Sequence, residues 1–163
     1  MQEILKEKLW TYIGRNNADL MLNLQQDFSV TSYLEEMVNG IQSLASQLLV
    51  ENKPGYIIEE LCMEEMINNL RPSKFNYIRS VLEDEFEKDF LRIKESGLLT
   101  YEIANMISES ETVFETLGFT EVNEQDRILR YAIAGMIRQY LESNQHPDFS
   151  DAGFKEIRSI GVD

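Results

Sequence analysis

The sequence predicts an all-α fold, arranged as a compact bundle of about five to seven helices. Apolar residues recur at every third or fourth position through most of the 163-residue chain, which is the period of one helix face. Only 3 prolines and 8 glycines are present to interrupt helices. A hydrophobic fraction of 43% is typical of a globular protein. We expect one domain over residues 1–163, with a helical core at 1–97 followed by an acidic segment, a last long helix and a C-terminal tail at 98–163.

The most regular helical pattern follows a proline. Pro72 lacks a backbone N–H and restricts the residue before it, so the preceding helix should end near this point and a new one begin. Gly97 suits a left-handed C-terminal cap. The apolar stripe between them consists of Phe75, Ile78, Leu82, Phe86, Phe90 and Ile93. We therefore predict one helix over 73–95 and expect the earlier helices to pack against it.

Three helices are predicted before Pro72. They cover residues 2–15, 30–49 and 56–70, and residues 18–28 are predicted as a short helical turn or a packed loop. The connections on either side of the third helix are short, and residues 51–55 contain a Pro-Gly turn. Short connections favour antiparallel neighbours, so the helices at 30–49, 56–70 and 73–95 are expected to pack in sequence.

The helix over 30–49 has a heptad pattern. Its apolar positions alternate steps of four and three: Val30, Leu34, Met37, Ile41, Leu44 and Leu48. Pairing between two chains would use such a seam, and so would packing inside a single bundle. A monomer and a homodimer are both left open by this pattern.

The second half of the chain has a weaker pattern. Residues 99–107 predict a helix, and a further turn extends to Leu117. Asn123 is predicted to cap the last long helix because asparagine is a favoured N-cap residue and acids follow it. A short helix over 150–160 is predicted in the C-terminal tail.

The net charge of −14 is concentrated in one segment. Residues 95–126, which we call the acidic segment, carry 8 acids and no Lys or Arg. This balance argues against direct binding to nucleic-acid phosphates or to an anionic membrane surface, which both require basic residues. A basic protein partner is expected instead, and the alternative is that the acids only confer solubility. The candidate partner-binding residues are Glu102, Glu109, Glu111, Glu115 and Glu121.

Residues with catalytic or metal-binding chemistry are scarce. His146 is the single histidine, Cys62 is the single cysteine in an apolar stretch, and the glycines are isolated rather than clustered in a phosphate-binding loop. The acids at positions 59, 60, 64 and 65 lie mostly off the apolar stripe of their helix, which favours a solvated face over a metal site. We therefore predict no cofactor, no metal and no enzymatic activity.

The N-terminal residues MQEILKEKLW do not have the pattern of a signal peptide, and no apolar run reaches membrane-spanning length. A cytoplasmic location is expected, with Cys62 as a buried thiol. The alternative function is a small ligand-binding or enzymatic helical bundle, with a pocket between helices lined by Trp10, Tyr77 and Phe86.

Several short motifs fall within the first 90 or so residues. They are Leu9-x-x-Tyr12-Ile13, Gly55-Tyr56, Glu60 with Glu64, Leu70-x-x-Ser73-Lys74, Ile78, Val81-Leu82 and Glu85-Phe86. This set resembles a family of short, acidic, all-helical proteins of unknown function encoded on bacterial conjugative transposons. The resemblance implies an all-α fold and a mobile-element setting, and it implies no activity.

Overall fold

The computed structural model describes residues 1–144, and within that range every regular element is helical. The α-helices are α1 Gln2–Asn16, α2 Ala18–Gln26, α3 Val30–Gly40, α4 Gln42–Val50, α5 Gly55–Ile67, α6 Lys74–Glu85, α7 Glu87–Ser96, α8 Leu99–Glu109, α9 Glu111–Leu117 and α10 Arg127–Asn144; a 3-10 turn covers Asn68–Leu70. The all-α prediction is confirmed for these residues. His146 and the helix predicted over 150–160 lie outside them.

The buried side chains form two hydrophobic clusters that divide near Pro72. The first cluster comes from α1, α3, α4 and α5, and includes Leu9, Ile58 and Met66. The second comes from α6 to α10, and includes Ile78 and Ile133. Helix α2 lies between the two because it contacts α1, α3 and α8. The boundary expected at residue 97 therefore falls inside the second cluster.

Helix α6 packs against α7, α8 and α10, all of which follow it in the chain. Its buried residues Phe75, Ile78, Val81 and Leu82 belong to the second cluster. The expectation that the helices before Pro72 pack against the helix over 73–95 is therefore wrong for the apolar face of α6. The reason is that α8 and α10 carry their own apolar stripes, with Ile103 and Ile133 completely buried, and these stripes cover α6.

The described residues contain ten α-helices, which exceeds the expected number of about five to seven. Two predicted helices are each divided in the structure. The helix predicted over 30–49 breaks after Gly40, where glycine weakens the helix, and the one predicted over 73–95 breaks at Phe86 (φ −136°, ψ 53°). A straight helix over 73–95 would be about 35 Å long. The break lets Phe90 and Ile93 turn back into the second cluster.

The heptad seam of α3 and α4 is used inside the chain. Ile41 and Leu48 are buried in the first cluster, and Leu34, Met37 and Leu44 pack against it. Of the two uses that the heptad pattern left open, the structure shows packing within one chain.

The helix ends agree with the predicted start near residue 73 and the predicted cap at Gly97, and they differ from the prediction at Asn123. Ser73 is the N-cap of α6 and accepts a hydrogen bond from the Asn76 N–H at 2.9 Å, and Gly97 ends α7 in the left-handed conformation at φ 81°. The prediction for Asn123 is wrong, since α10 begins only at Arg127. Asp126 takes the capping role and accepts from the Ile128 N–H at 3.0 Å.

Candidate functional site

The structure places the five predicted acids around the second cluster rather than in one patch. Glu102 accepts a hydrogen bond from the Tyr140 hydroxyl at 2.5 Å, and Glu111 forms an ion pair with Lys74 at 3.1 Å. The other three, Glu109, Glu115 and Glu121, are exposed and have no ion pair among residues 1–144.

These acids border different grooves. Glu102 and Glu109 lie two turns apart on α8, in adjoining grooves that share Tyr140. Glu111 borders a groove between α2 and α8. Glu121, near the C-terminal end of the acidic segment, borders another groove, which is also lined by residues of α1 and α6. The acidic segment therefore surrounds the second cluster with carboxylates instead of gathering them at one point.

A polar groove of about 330 Å³ lies where the two hydrophobic clusters meet. We call it the seam groove. Its walls are the end of α1, the 71–73 junction, the first two turns of α6, the loop before α10 and one residue of α10. Nearly all lining residues are polar: Tyr12, Asn16, Arg71, Pro72, Ser73, Asn76, Tyr77, Ser80, Glu121, Glu124, Gln125 and Arg130.

One wall of the seam groove is built by hydrogen bonds between α1 and α6. The Ser73 hydroxyl donates to the Asn16 carbonyl at the end of α1, while also accepting from the Asn76 N–H. The Asn76 side-chain amide donates to the Asn16 side-chain oxygen at 3.0 Å. One serine thus caps α6 and links it to α1, which fixes the relative position of the two clusters at this point.

The opposite wall is the loop over 118–126, and Asn123 holds it in shape. The Asn123 side-chain oxygen accepts from the Thr120 N–H at 2.6 Å, and its NH₂ group donates to the Gly118 carbonyl at 2.7 Å. Gly118 has φ 82°, a conformation that favours glycine. This explains why Asn123 is not a helix cap. The same bonds position Glu121 and Glu124 beside the groove.

The groove has two similar ends, each with a tyrosine, an arginine and a carboxylate. At one end, burial raises the pKa of Tyr12, the nearby Arg71 lowers it, and Glu64 and Glu121 raise it further. Arg71 is held by Glu64, with its terminal nitrogens 3.2 and 3.4 Å from the two carboxylate oxygens.

At the other end, burial likewise raises the pKa of Tyr77, while the nearby Arg130 lowers it and Asp126 and Glu124 raise it. Arg130 is paired with Asp84 at 3.2 Å. The Tyr77 ring is fixed by an edge contact with Phe119, with ring centroids 5.1 Å apart.

Two buried polar atoms of the groove residues have no hydrogen-bond partner. They are the Arg71 Nε and the Tyr77 hydroxyl. A buried donor without a partner destabilises a fold by about 1–3 kcal/mol, so such groups are uncommon in proteins. Both atoms belong to residues that line the seam groove, which makes it the candidate ligand site among the grooves described above.

The aromatic pocket predicted from the sequence is not formed. Trp10 packs against the first cluster, whereas Tyr77 and Phe86 pack against the second. Tyr77 does line a groove, but its partners there are Tyr12 and Arg130. Among the groove residues, Glu121 was predicted to bind a protein partner. Arg71 and Arg130 were not predicted as site residues because neither belongs to a recognisable motif.

Other features of the chain bear on the predicted function classes. Cys62 is completely buried, as predicted, and burial raises the pKa of its thiol. Across residues 1–144, no three His, Cys, Asp or Glu side chains come together in a way that could hold a metal ion. In the same range, no helix combines the length and the apolar character needed to cross a membrane.

Comparisons of the chain with protein-family models, curated proteins and solved structures found no match. The resemblance to the conjugative-transposon family therefore stays a prediction from the motifs in residues 1–90 or so.

Proposed function

We propose that this protein is a non-enzymatic accessory protein that binds a basic protein partner through the acidic segment. The observation that carries the proposal is the lack of compensating charge. Of the 8 carboxylates in residues 95–126, only Glu111 has an ion pair within residues 1–144. Glu109, Glu115 and Glu121 are exposed and the segment contains no Lys or Arg, which favours encounter with a cationic protein.

The charge of the whole chain strengthens this effect. A net charge of −14 repels nucleic acid and anionic lipid, and it attracts basic surfaces over a distance set by the salt concentration. The partner surface is expected to be rich in Lys and Arg, and association is expected to weaken strongly as salt increases. We place the protein in the cytoplasm and, from the motif resemblance, among the accessory proteins of a mobile element.

A matched pair of variants tests the proposal. The segment variant carries Glu109→Gln, Glu115→Gln and Glu121→Gln. The control variant carries Glu36→Gln, Glu60→Gln and Glu65→Gln, which remove the same charge from exposed, unpaired acids of α3 and α5. Each immobilised protein is used to capture proteins from a bacterial lysate at about 0.1 M and about 1 M salt, where charges act over about 10 and 3 Å respectively.

The expected result is capture of a basic protein at the lower salt only, by the wild type and by the control variant. With the purified partner, the segment variant is expected to bind about tenfold more weakly than the control variant, since each exposed ion pair contributes about 0.2–1 kcal/mol. Equal binding by both variants would assign the effect to net charge alone, and capture that persists at high salt would contradict the proposal.

The alternative function is a small ligand-binding bundle with a groove between helices. It is favoured by one specific observation, the unpartnered Arg71 Nε and Tyr77 hydroxyl in the seam groove. A groove that binds a ligand is compatible with the main proposal because the seam groove and most of the acidic segment are separate surfaces.

A further inference from the structure

We propose that the outward face of α10 pairs with the same face of a second copy of this chain, so that two antiparallel α10 helices form a homodimer. This surface, which we call the α10 face, consists of exposed residues: Arg127, Ile128, Tyr131, Gly135, Arg138 and Glu142. It shares no residue with the acidic segment at 95–126, so dimerisation is a separate activity from binding of a basic partner.

The α10 face has the spacing of a helix-pairing surface, although it points away from the core. The residues of α10 that pack in the second cluster lie on the opposite side of the helix: Leu129, Ile133, Ile137 and Leu141. From Ile128 to Glu142, the exposed stripe alternates steps of three and four residues, which keeps two helices in contact over several turns. Ile128 and Tyr131 in this stripe are 65% and 69% exposed, so apolar surface is available to a second helix.

Gly135 is at the centre of this stripe, in the interior of an 18-residue helix. Glycine in such a position lowers the stability of a helix by about 1 kcal/mol relative to alanine. Within the described part of the chain, a Cβ at Gly135 would meet nothing within 4 Å, so packing inside the monomer does not require glycine there. A second helix that crosses at Gly135 does account for it, because the missing side chain lets the two backbones approach closely.

The charges at the two ends of the α10 face are complementary when two copies run antiparallel. Arg127 lies eight residues before Gly135 and Glu142 lies seven residues after it, so each is about 11 Å along the helix from the crossing point. Neither side chain forms an ion pair among residues 1–144. Twofold symmetry forms the contact between Arg127 and Glu142 twice. In a parallel pair each charge would meet its own kind, so the charges select the antiparallel arrangement.

Tyr131 and Arg138 fit the same register, since they lie four residues before and three residues after Gly135. The Arg138 guanidinium is held beside the Phe86 ring, 5.3 Å from its centre, and Arg138 is exposed. A guanidinium also packs favourably on a tyrosine ring, so Arg138 of each copy is able to contact Tyr131 of the other. Both pairs of positions are thus centred on Gly135, which favours a second copy of this chain over a partner of unrelated sequence.

The dimer is expected to be weak. A single pair of helices buries less surface than most stable dimers, and the net charge of −14 on each copy opposes association. We therefore expect a Kd on the order of 0.1 mM. Sedimentation equilibrium of the full chain between about 10 µM and about 0.5 mM, at about 0.15 M salt, measures this constant.

An exchange of charges tests the register. Arg127→Glu and Glu142→Arg each place like charges opposite one another at both ends of the interface, so each is expected to weaken dimerisation at least tenfold. The double variant restores opposite charges and is expected to dimerise within about threefold of the wild type. Lys53→Glu makes the same change of net charge as Arg127→Glu, at an exposed lysine between α4 and α5, and is expected to leave the Kd unchanged.

Gly135→Gln separates dimerisation from folding. The added side chain has space in the monomer and improves helix propensity, so the Tm of the dilute protein is expected to stay the same or rise, while dimerisation is lost. The proposal is overturned if the wild type sediments as a monomer at every concentration, or if folded Gly135→Gln dimerises as well as the wild type. Dimerisation that the double charge variant does not restore would place the second copy on another surface and would also contradict the proposal.

Discussion

Tyr140 joins α10 to α8 through the hydrogen bond from its hydroxyl to Glu102. Burial is the largest cause that raises the pKa of Tyr140, and the hydrogen bond to the Glu102 carboxylate raises it further. The resulting pKa of Tyr140 is about 12. The neutral phenol is therefore favoured by folding, because ionisation would place a second negative charge beside Glu102.

The first prediction concerns the effect of pH on this bond. The folded-state pKa of about 12 lies above the ordinary value of 10.0, so the stability that Tyr140 contributes is fully present below pH 10.0 and is lost as the pH rises through about 12. Tyr140→Phe is expected to lower the free energy of unfolding at neutral pH by about 1–2 kcal/mol and to flatten its decline above pH 10. Urea unfolding across this range measures both effects. An unchanged pH profile in Tyr140→Phe would contradict the prediction.

Ser73 is the second residue with a specific structural role, because its hydroxyl both caps α6 and bonds to the end of α1. We predict that Ser73→Ala lowers the free energy of unfolding by about 2 kcal/mol, the sum of a lost cap and a lost hydrogen bond. Ser80→Ala is the control, on an exposed position of the same helix. Urea denaturation of the two variants gives the comparison, and equal losses would mean that the Ser73 bonds do not stabilise the fold.

At the scale of elements, the glycines at the C-terminal ends of α3 and α7 are expected to respond differently to substitution. Gly97 has φ 81°, where a side chain is strained, whereas Gly40 is the last residue of α3 and a Cβ there would meet nothing within 4 Å. We predict that Gly97→Ala destabilises the protein by about 1–2 kcal/mol and that Gly40→Ala stabilises it by about 0.5 kcal/mol. Thermal unfolding followed by circular dichroism should show Tm changes of opposite sign. Changes of the same sign would contradict the assignment of the two helix ends.

The apolar periodicity of the sequence was sufficient to predict an all-α fold and many of the buried positions. Leu82, Phe90 and Ile93 are buried as their stripe indicates. The same periodicity did not reveal the breaks at Gly40 and Phe86, because the period continues through both positions. A break of this kind depends on the size of the cluster that the helix must cover, which is a property of the tertiary structure.

The candidate sites show a similar limit. The acidic segment is visible in the sequence because its 8 acids fall within one stretch, residues 95–126, that contains no Lys or Arg. The seam groove brings together Tyr12, Arg71, Tyr77, Glu121 and Arg130, which come from three separate regions of the chain and follow no local period. Their proximity depends on the contacts of α1 with α6 and of α6 with α10, and no local pattern specifies those contacts.

At the scale of the whole molecule, the two hydrophobic clusters separate the proposed activities. The carboxylates of the acidic segment, of which only Glu111 is ion-paired within residues 1–144, surround the second cluster, and the seam groove lies at the boundary between the two clusters. A partner that binds the acidic segment would therefore cover α8, α9 and the loop before α10, and it would leave the surface of α4 and α5 free.

Amide hydrogen exchange of the complex between this protein and its captured basic partner tests the central claim most directly. At about 0.1 M salt, exchange is predicted to slow in residues 99–126 and to remain unchanged in α4 and α5, and the slowing is predicted to disappear at about 1 M salt. Slowed exchange confined to α4 and α5, or slowing that persists at the higher salt concentration, would contradict the claim.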